Sequence, residues 1–292
     1  MSLTRGPNQQ ASSVTVGNPS LDKPMCCDSI SELERRSGAT SLTGILIVNA
    51  DDWGRDRETT ARTMDCILRG AVSSVSAMVY MEDSERAATM ARERGIDAGL
   101  HLNFTTAFSA SNCPPQMVEH QRMVSAYLLR HSLAQAVYNP LLNRSFEYVV
   151  NRQLEEFHRL YGEEAARIDG HHHMHLSANV LLGKLLPEGT IVRRNFSFRA
   201  GEKNVVNRCY RKIVDRTLAK SHRLVDFFFS LPPLEPVSRL EQIFSLARRC
   251  VVELETHPIN SDEYRFLTGG QILHIGDLQV APRYVVSCHR QQ

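Results

Sequence analysis

Gly44-Ile45-Leu46-Ile47-Val48-Asn49-Ala50-Asp51-Asp52-Trp53-Gly54 is the stretch that decides the fold. Its first half is a continuous apolar run of strand length, suited to a strand buried on both faces. Its second half turns acidic where such a strand would end. Similar runs recur at Val72 to Tyr80, Ala98 to Phe104, Ile168 to Leu176, Thr190 to Val192, Val225 to Ser230 and Cys250 to Leu254. Within them, Phe227-Phe228-Phe229 reads as buried strand, not as a sugar platform. Between the runs lie apolar stripes at helical spacing: Phe146, Val149, Val150 and Leu154, then Leu240, Ile243, Phe244 and Ala247. Met64, Ile67 and Leu68 give a shorter stripe after the first strand. Strands alternating with helices imply βαβ units and a mostly parallel sheet. Six or seven such strands fit a closed or nearly closed barrel, with a doubly wound open sheet as the alternative. Both architectures collect active residues at the carboxyl ends of the strands.

The 292 residues suffice for one large domain with a sizeable core, and the 42% hydrophobic content is that of a globular protein. Residues 1–42 are poor in apolar side chains and rich in Ser, Thr, Asn, Gln, Gly and Pro. They read as a disordered tail with a brief helical hint from Ser31 to Arg36, leaving residues 43–292 as a single barrel domain. A net charge of +2 gives no argument for nucleic acid, and Arg193-Arg194, following an apolar strand, reads as a solvated pair, with contact to an anionic substrate group as the alternative. No run approaches the ~18 apolar residues of a membrane span, and the amino terminus lacks the apolar core of a secretion signal. Seven scattered cysteines without a C-x-x-C pair argue for reduced thiols and a cytoplasmic setting.

Chemistry concentrates in four places. Asp169-Gly170-His171-His172-His173-Met174-His175 puts four imidazoles and a carboxylate in one short run. Read as a strand end, it sets His171, His173 and His175 on one face, since strand side chains alternate. Imidazoles gathered in one space point to a divalent metal. Asp51 and Asp52 follow the first strand; a helix N-cap explains one of them but not both. The functional alternative divides labour, one carboxylate ligating a metal and its neighbour taking a proton from activated water. Gly99-Leu100-His101-Leu102-Asn103 offers His101 at another strand end, with Asn103 on its face to contact substrate or a supporting partner. Val252-Glu253-Leu254-Glu255-Thr256-His257-Pro258 offers His257, restricted to an extended or turn conformation by Pro258.

In this order, Asn-Ala-Asp-Asp-Trp-Gly, Gly-Leu-His-Leu-Asn, Asp-Gly-His-His-His-Met-His and Glu-Leu-Glu-Thr-His-Pro, the chain resembles the YdjC-like (ChbG/HpnK) carbohydrate deacetylases. The motifs are spread from about residue 44 to 260. The resemblance implies a distorted TIM-like (β/α) barrel of about seven parallel strands, related to polysaccharide deacetylases. It also implies metal-dependent removal of an acetyl group from an N-acetylated sugar. Carried over, it makes Asp52, His101 and His171 the ligands of one divalent ion, zinc or magnesium. Asp51 becomes the general base and His257 the acid or transition-state stabiliser, with Asn103, Asp169, His173 and His175 lining the pocket or supporting the ligands. The implied partner is a small carbohydrate, free or lipid-linked; a homo-oligomer stays open. Trp53 stands where the family commonly has Phe, and Ile259-Asn260 replaces an expected glycine.

Three other functions compete. A signalling receiver domain also places an acidic pair after its first strand, but the histidine cluster has no task there. Another barrel metal hydrolase, acting on a phosphoester or a non-sugar amide, would more commonly carry an H-x-H pair on its first strand. A metal-binding homologue without catalysis would keep the same ligands.

Overall fold

The structure is a computed structural model and describes residues 44–131, 133–198, 204–270, 272 and 278–286. The expected tail and its helical hint lie outside these residues. Seven strands form one parallel sheet: β1 Ile45–Trp53, β2 Ser74–Ala77, β3 Ala98–Leu102, β4 Arg167–Gly170, β5 Ile191–Val192, β6 Phe227–Ser230 and β7 Val251–Thr256, in the order β5-β4-β3-β2-β1-β7-β6. The intervening helices are α1 Arg57–Leu68, α2 Ser84–Arg94, α3 Pro115–Leu128, α4 Asn143–Tyr161, α5 Ala178–Leu182, α6 Val205–Leu218 and α7 Val237–Ala247, with α8 Ser261–Thr268 after β7.

The sheet curls until its edges meet. Val192 N–H donates to Arg223 O (3.0 Å), and Arg223 lies just before β6 at the opposite edge. Further along, Ser197 N–H donates to Phe228 O of β6 (2.8 Å). The result is a distorted barrel with an irregular β5/β6 seam, so the expected barrel holds and the open doubly wound sheet does not.

Outward residues of the strands, among them Leu46, Val48, Val75, Leu100, Ile168, Val252 and Leu254, join the main core with the helices. The expected stripes face that core: Phe146, Val149 and Val150 on α4, and Leu240, Ile243, Phe244 and Ala247 on α7, are buried there. Inward positions behave differently. Ile47, Phe228 and Val251 make a small apolar floor with Val225 and Ala281. Above it the inward side chains are polar and buried: Asn49 and Asp51, Ser74 and Ser76, His101, Arg167 and Asp169, Arg193, Glu253 and Glu255. The barrel is therefore lined by charge and hydrogen bonds, and its apolar burial sits mostly outside the sheet. At the amino end, Ala281 N–H donates to Leu46 O (2.8 Å), Tyr284 N–H to Asp97 Oδ2 (3.0 Å) and the Tyr284 hydroxyl to Glu253 Oε2 (2.6 Å).

The stretch from Ile168 to Leu176 is not one strand. β4 ends at Gly170, and His171–Leu176 coil into a 3-10 turn in which His172 and His173 take positive φ (54° and 57°). Gly170 permits the turn, because a Cβ there would lie 3.0 Å from the backbone nitrogen of His175. The alternation that would set His171, His173 and His175 on one face is thereby lost.

Candidate active site

The two aspartates at the end of β1 share one space because the strand bulges. β1 pairs with β2 through Ala50↔Val75 and then Trp53↔Ala77, so one extra residue is inserted across Asp51 and Asp52. Asp52 absorbs it at φ 65°, and Gly54 follows at φ 85°. Regular alternation would send adjacent side chains to opposite faces; a bulge re-aims one of them. Neither aspartate is a helix cap, since Asp56 caps α1 by accepting from Thr59 N–H (2.8 Å).

Asp52, His101 and His171 converge, although they arise from β1, β3 and the turn after β4. Asp52 Oδ1 lies 2.9 Å from His171 Nδ1 and 3.4 Å from His101 Nε2. The other oxygen, Oδ2, accepts from Arg55 (3.0 Å). One ligand-type atom from each of the three residues lies within 4.8 Å of the other two, and all three residues are buried. Asp52 Oδ1 and His101 Nε2 have no hydrogen-bond partner despite burial. Burial normally forces such atoms into hydrogen bonds, so this geometry fits a cation-binding cluster. Burial pushes the Asp52 carboxyl up, but His101 and His171 more than reverse this and hold it below the usual carboxylate range.

His101 is fixed from behind. Its Nδ1 donates to Asp169 Oδ1 (2.7 Å), which turns Nε2 toward the cluster. Asp169 in turn accepts from the Ser76 hydroxyl (2.5 Å) and contacts Arg193 (2.9 Å). Burial opposes charge on His101, yet the carboxylates of Asp51 and Asp169 raise its pKa to about 10.

Arg193 is the largest correction to the sequence-based expectation. It is buried, not solvated, and forks onto both oxygens of Asp51 (2.6 and 2.8 Å) while Nε donates to Glu253 (2.8 Å). Asp51 also accepts from Asn49 Nδ2 (2.8 Å). Burial alone would raise the Asp51 pKa; Arg193, followed by His101, brings it below the usual range. Nothing in a two-arginine string marks one member as interior. Only its position one residue past the short strand β5 could have done so. Its neighbour Arg194 is partly buried and bonds Asp215 (2.9 Å).

The remaining expected residues are dispersed. Asn103 folds its own loop, accepting from Thr105 and Thr106 N–H (3.1 and 2.9 Å) and donating to Thr106 O (2.7 Å). His175 is fully buried and donates from Nε2 to Arg193 O (2.9 Å), so it supports the backbone that carries Arg193. His173 packs edge-on against Phe196, 4.6 Å between ring centroids, with Nε2 3.7 Å from Glu255. His257 follows β7 directly, with Nε2 3.6 Å from Glu255 and its backbone N–H donating to Glu263 (2.8 Å). Beside His172 and His173 opens a pocket of about 150 Å³, walled on its far side by Asn207, Tyr210 and Arg211 of α6.

Comparisons with known proteins bear on the family and the fold. The chain is 30% identical to a chitooligosaccharide deacetylase of Serratia marcescens over 137 residues, 47% of this chain and 52% of that one. It is 28% identical to a carbohydrate deacetylase of Brevibacillus brevis over 228 residues, 77% and 84% of the two chains. The matched region thus spans about half the length of the Serratia protein. Among solved structures, a protein of Enterococcus faecalis named for cellobiose-phosphate cleavage superposes with a TM-score of 0.61 at 17% identity. That superposition covers 82% of this chain and 97% of the other, and it concerns the fold alone. The family model for YdjC-like proteins matches residues 45–274, which include every strand of the barrel and the whole cluster, and the chain belongs to that family.

Proposed function

We propose that the protein is a metal-dependent hydrolase that removes the acetyl group from an N-acetylated sugar. The observation that carries this is the convergence of Asp52, His101 and His171 beside a second, Arg193-bound aspartate. Relatives named chitooligosaccharide and carbohydrate deacetylases support the substrate class. Asp52, His101 and His171 would hold the divalent ion, zinc or magnesium; two imidazoles and one carboxylate favour zinc. When bound, the ion supplies a Lewis acid for the acetyl carbonyl and makes hydroxide accessible from water near neutral pH.

The chain's own groups do the rest. Asp51, held ionised by Arg193, accepts the proton of the attacking water. His257 lies at the carboxyl end of β7 and is partly exposed. It gives a proton to the departing amine as the C–N bond breaks, leaving acetate and a free amino sugar. Amide and guanidinium groups of Asn195, Asn207 and Arg211 line the adjacent pocket and offer hydrogen bonds to sugar hydroxyls. Cys66, Cys113 and Cys209 are thiols outside any disulfide, which supports a reducing cytoplasmic setting. No helix among the described residues is long and apolar enough to cross a membrane.

The test is acetate release from N-acetylglucosamine oligosaccharides and lipid-linked N-acetyl sugars, after loading with zinc or magnesium and after chelation. Acetate that appears only with metal supports the proposal; no acetate from any of them refutes it. Asp51→Asn should lower turnover by about 10²–10⁴-fold while retaining metal. Unchanged turnover would remove Asp51 from its role.

A further inference from the structure

Exposed apolar side chains gather on two segments that border the pocket beside His172 and His173. On α6, Val214 and Leu218 are buried, while Val206, Tyr210 and Ile213 repeat at helical spacing on the outer side. Val206 is 78% and Ile213 62% exposed. Tyr210 belongs to both surfaces, since it lines the pocket and also reaches solvent. The second segment carries Gln135, which lines the same pocket. Around it Leu133, Val137, Tyr138 and Leu141 are exposed, Leu141 by 90%. Reciprocal hydrogen bonds between Asn139 and Asn179 (3.0 and 2.8 Å) tie this segment to α5, whose last residue, Leu182, is exposed as well. An apolar residue alone on a surface needs no explanation, but a set that borders one opening does.

Charge on these segments has one sign. Asp215 is the single acid in residues 129–146 and 204–224, and Arg194 and Asn195 already occupy it. Arg130, Arg144, Arg216 and Lys220 are exposed and form no ion pair among the described residues. Arg216 extends the outer face of α6, and Lys220 follows just after its end. The whole chain has a net charge of only +2, so this is a local concentration of cations. A helix with outward apolar side chains and basic residues beside them suits the boundary between lipid headgroups and acyl chains. Tyrosine rings suit the same depth, and Tyr138 and Tyr210 supply one to each segment. A protein partner would have to bring carboxylates to both segments, whereas an anionic bilayer presents negative charge continuously. A second copy of this chain would bring the same cations, which repel across a symmetric contact.

We propose that these two segments form a docking surface for an anionic phospholipid membrane, which the protein meets with the rim of its pocket. Val206, Ile213, Leu133 and Leu141 enter the headgroup region, and Arg130, Arg144, Arg216 and Lys220 meet the lipid phosphates. The surface goes beyond the deacetylase reading and does not depend on it.

The experiment is sedimentation of the full chain with vesicles of phosphatidylserine and phosphatidylcholine in equal parts, and with phosphatidylcholine alone. The chain should bind the mixed vesicles, and about tenfold or more weakly when the anionic lipid is omitted or when about 1 M salt screens it. Val206→Ser with Ile213→Ser removes apolar contact, and Arg216→Gln with Lys220→Gln removes two cations. Each pair should weaken binding by about tenfold or more. All four side chains are exposed, so the urea midpoint should stay within about 0.3 M of the native protein, which separates lost docking from lost folding. A native chain that stays in the supernatant with the mixed vesicles overturns the proposal, as does equal binding by the native protein and both variants. A dimer seen by light scattering that Val206→Ser with Ile213→Ser abolishes also overturns it, because the stripe would then belong to a second copy. Acetate release is read separately: a chain that binds vesicles but deacetylates no N-acetyl sugar keeps the docking surface and loses the deacetylase reading.

Discussion

Replacing Arg193 by Met removes the cation around which the barrel interior is organised. The guanidinium is 1% exposed, donates to Asp51 and Glu253 and pairs with Asp169, so its loss strands three buried carboxylates at once. Taking one partner from a buried ion pair costs about 3–5 kcal/mol. Proton uptake offsets part of the loss of three pairs, so the same range is expected here and not a threefold sum. Domains are stable by about 5–15 kcal/mol, so the variant should fold but only marginally. With a urea dependence near 3 kcal/mol per molar, the unfolding midpoint should fall by about 1–2 M. The sign of the pH dependence follows from the same pairs. Without Arg193 the carboxylates would bind protons more tightly in the folded than in the unfolded protein. The native state would then lose stability as pH rises through their pKa values, making the deficit larger at pH 8 than at pH 5. Urea melts of both proteins at the two pH values measure this. A midpoint within about 0.3 M of the native protein, or a deficit that shrinks with pH, would refute the idea that Arg193 compensates these charges.

Two further expectations concern the cluster and the turn beside it. Because Asp51 and Asp169 keep His101 protonated up to about pH 10 without metal, a metal must displace that proton. Apparent zinc affinity should therefore rise by about tenfold per pH unit between pH 7 and 9, and calorimetry in buffers of different ionisation enthalpy should detect the released proton. Affinity independent of pH would mean that no proton leaves His101 when the metal binds. Gly54→Ala should cost about 1–2 kcal/mol for the left-handed backbone, and the added Cβ would sit 3.2 Å from Ser84 Cα and 3.3 Å from Met78 O. A thermal midpoint equal to that of the native protein would show that the turn after Asp52 can relax.

Apolar runs in the sequence located all seven strands, because each carries outward side chains that must meet a helix layer. Strand ends were less legible. Val72 to Tyr80 contains only the four-residue β2, and Ile168 to Leu176 breaks after Gly170, where His172 and His173 adopt a left-handed backbone that propensity disfavours. The motif residues Asp52, His101 and His171 could be named in advance, but the bulge that lets Asp51 and Asp52 face one space depends on pairing with β2. The interior network stayed hidden for a different reason. Strands of two to six residues give too little alternation to distinguish an inward Arg193, Glu253 or Glu255 from a solvated one. Charge is tolerated there only because the partners arrive from distant segments.

The Tyr284 contact gives this barrel a lever from its far end. Tyr284 hydroxyl, Glu253, Arg193 and Asp51 form an unbroken series of hydrogen bonds running the depth of the sheet. Anything that dislodges the segment around Tyr284 frees an oxygen of Glu253 and lets that carboxyl compete harder for Arg193. Asp51 would then lose part of its grip on the guanidinium, so handling of the carboxy-terminal segment, by a fused tag or a trimmed end, belongs among the controls for activity at the opposite rim.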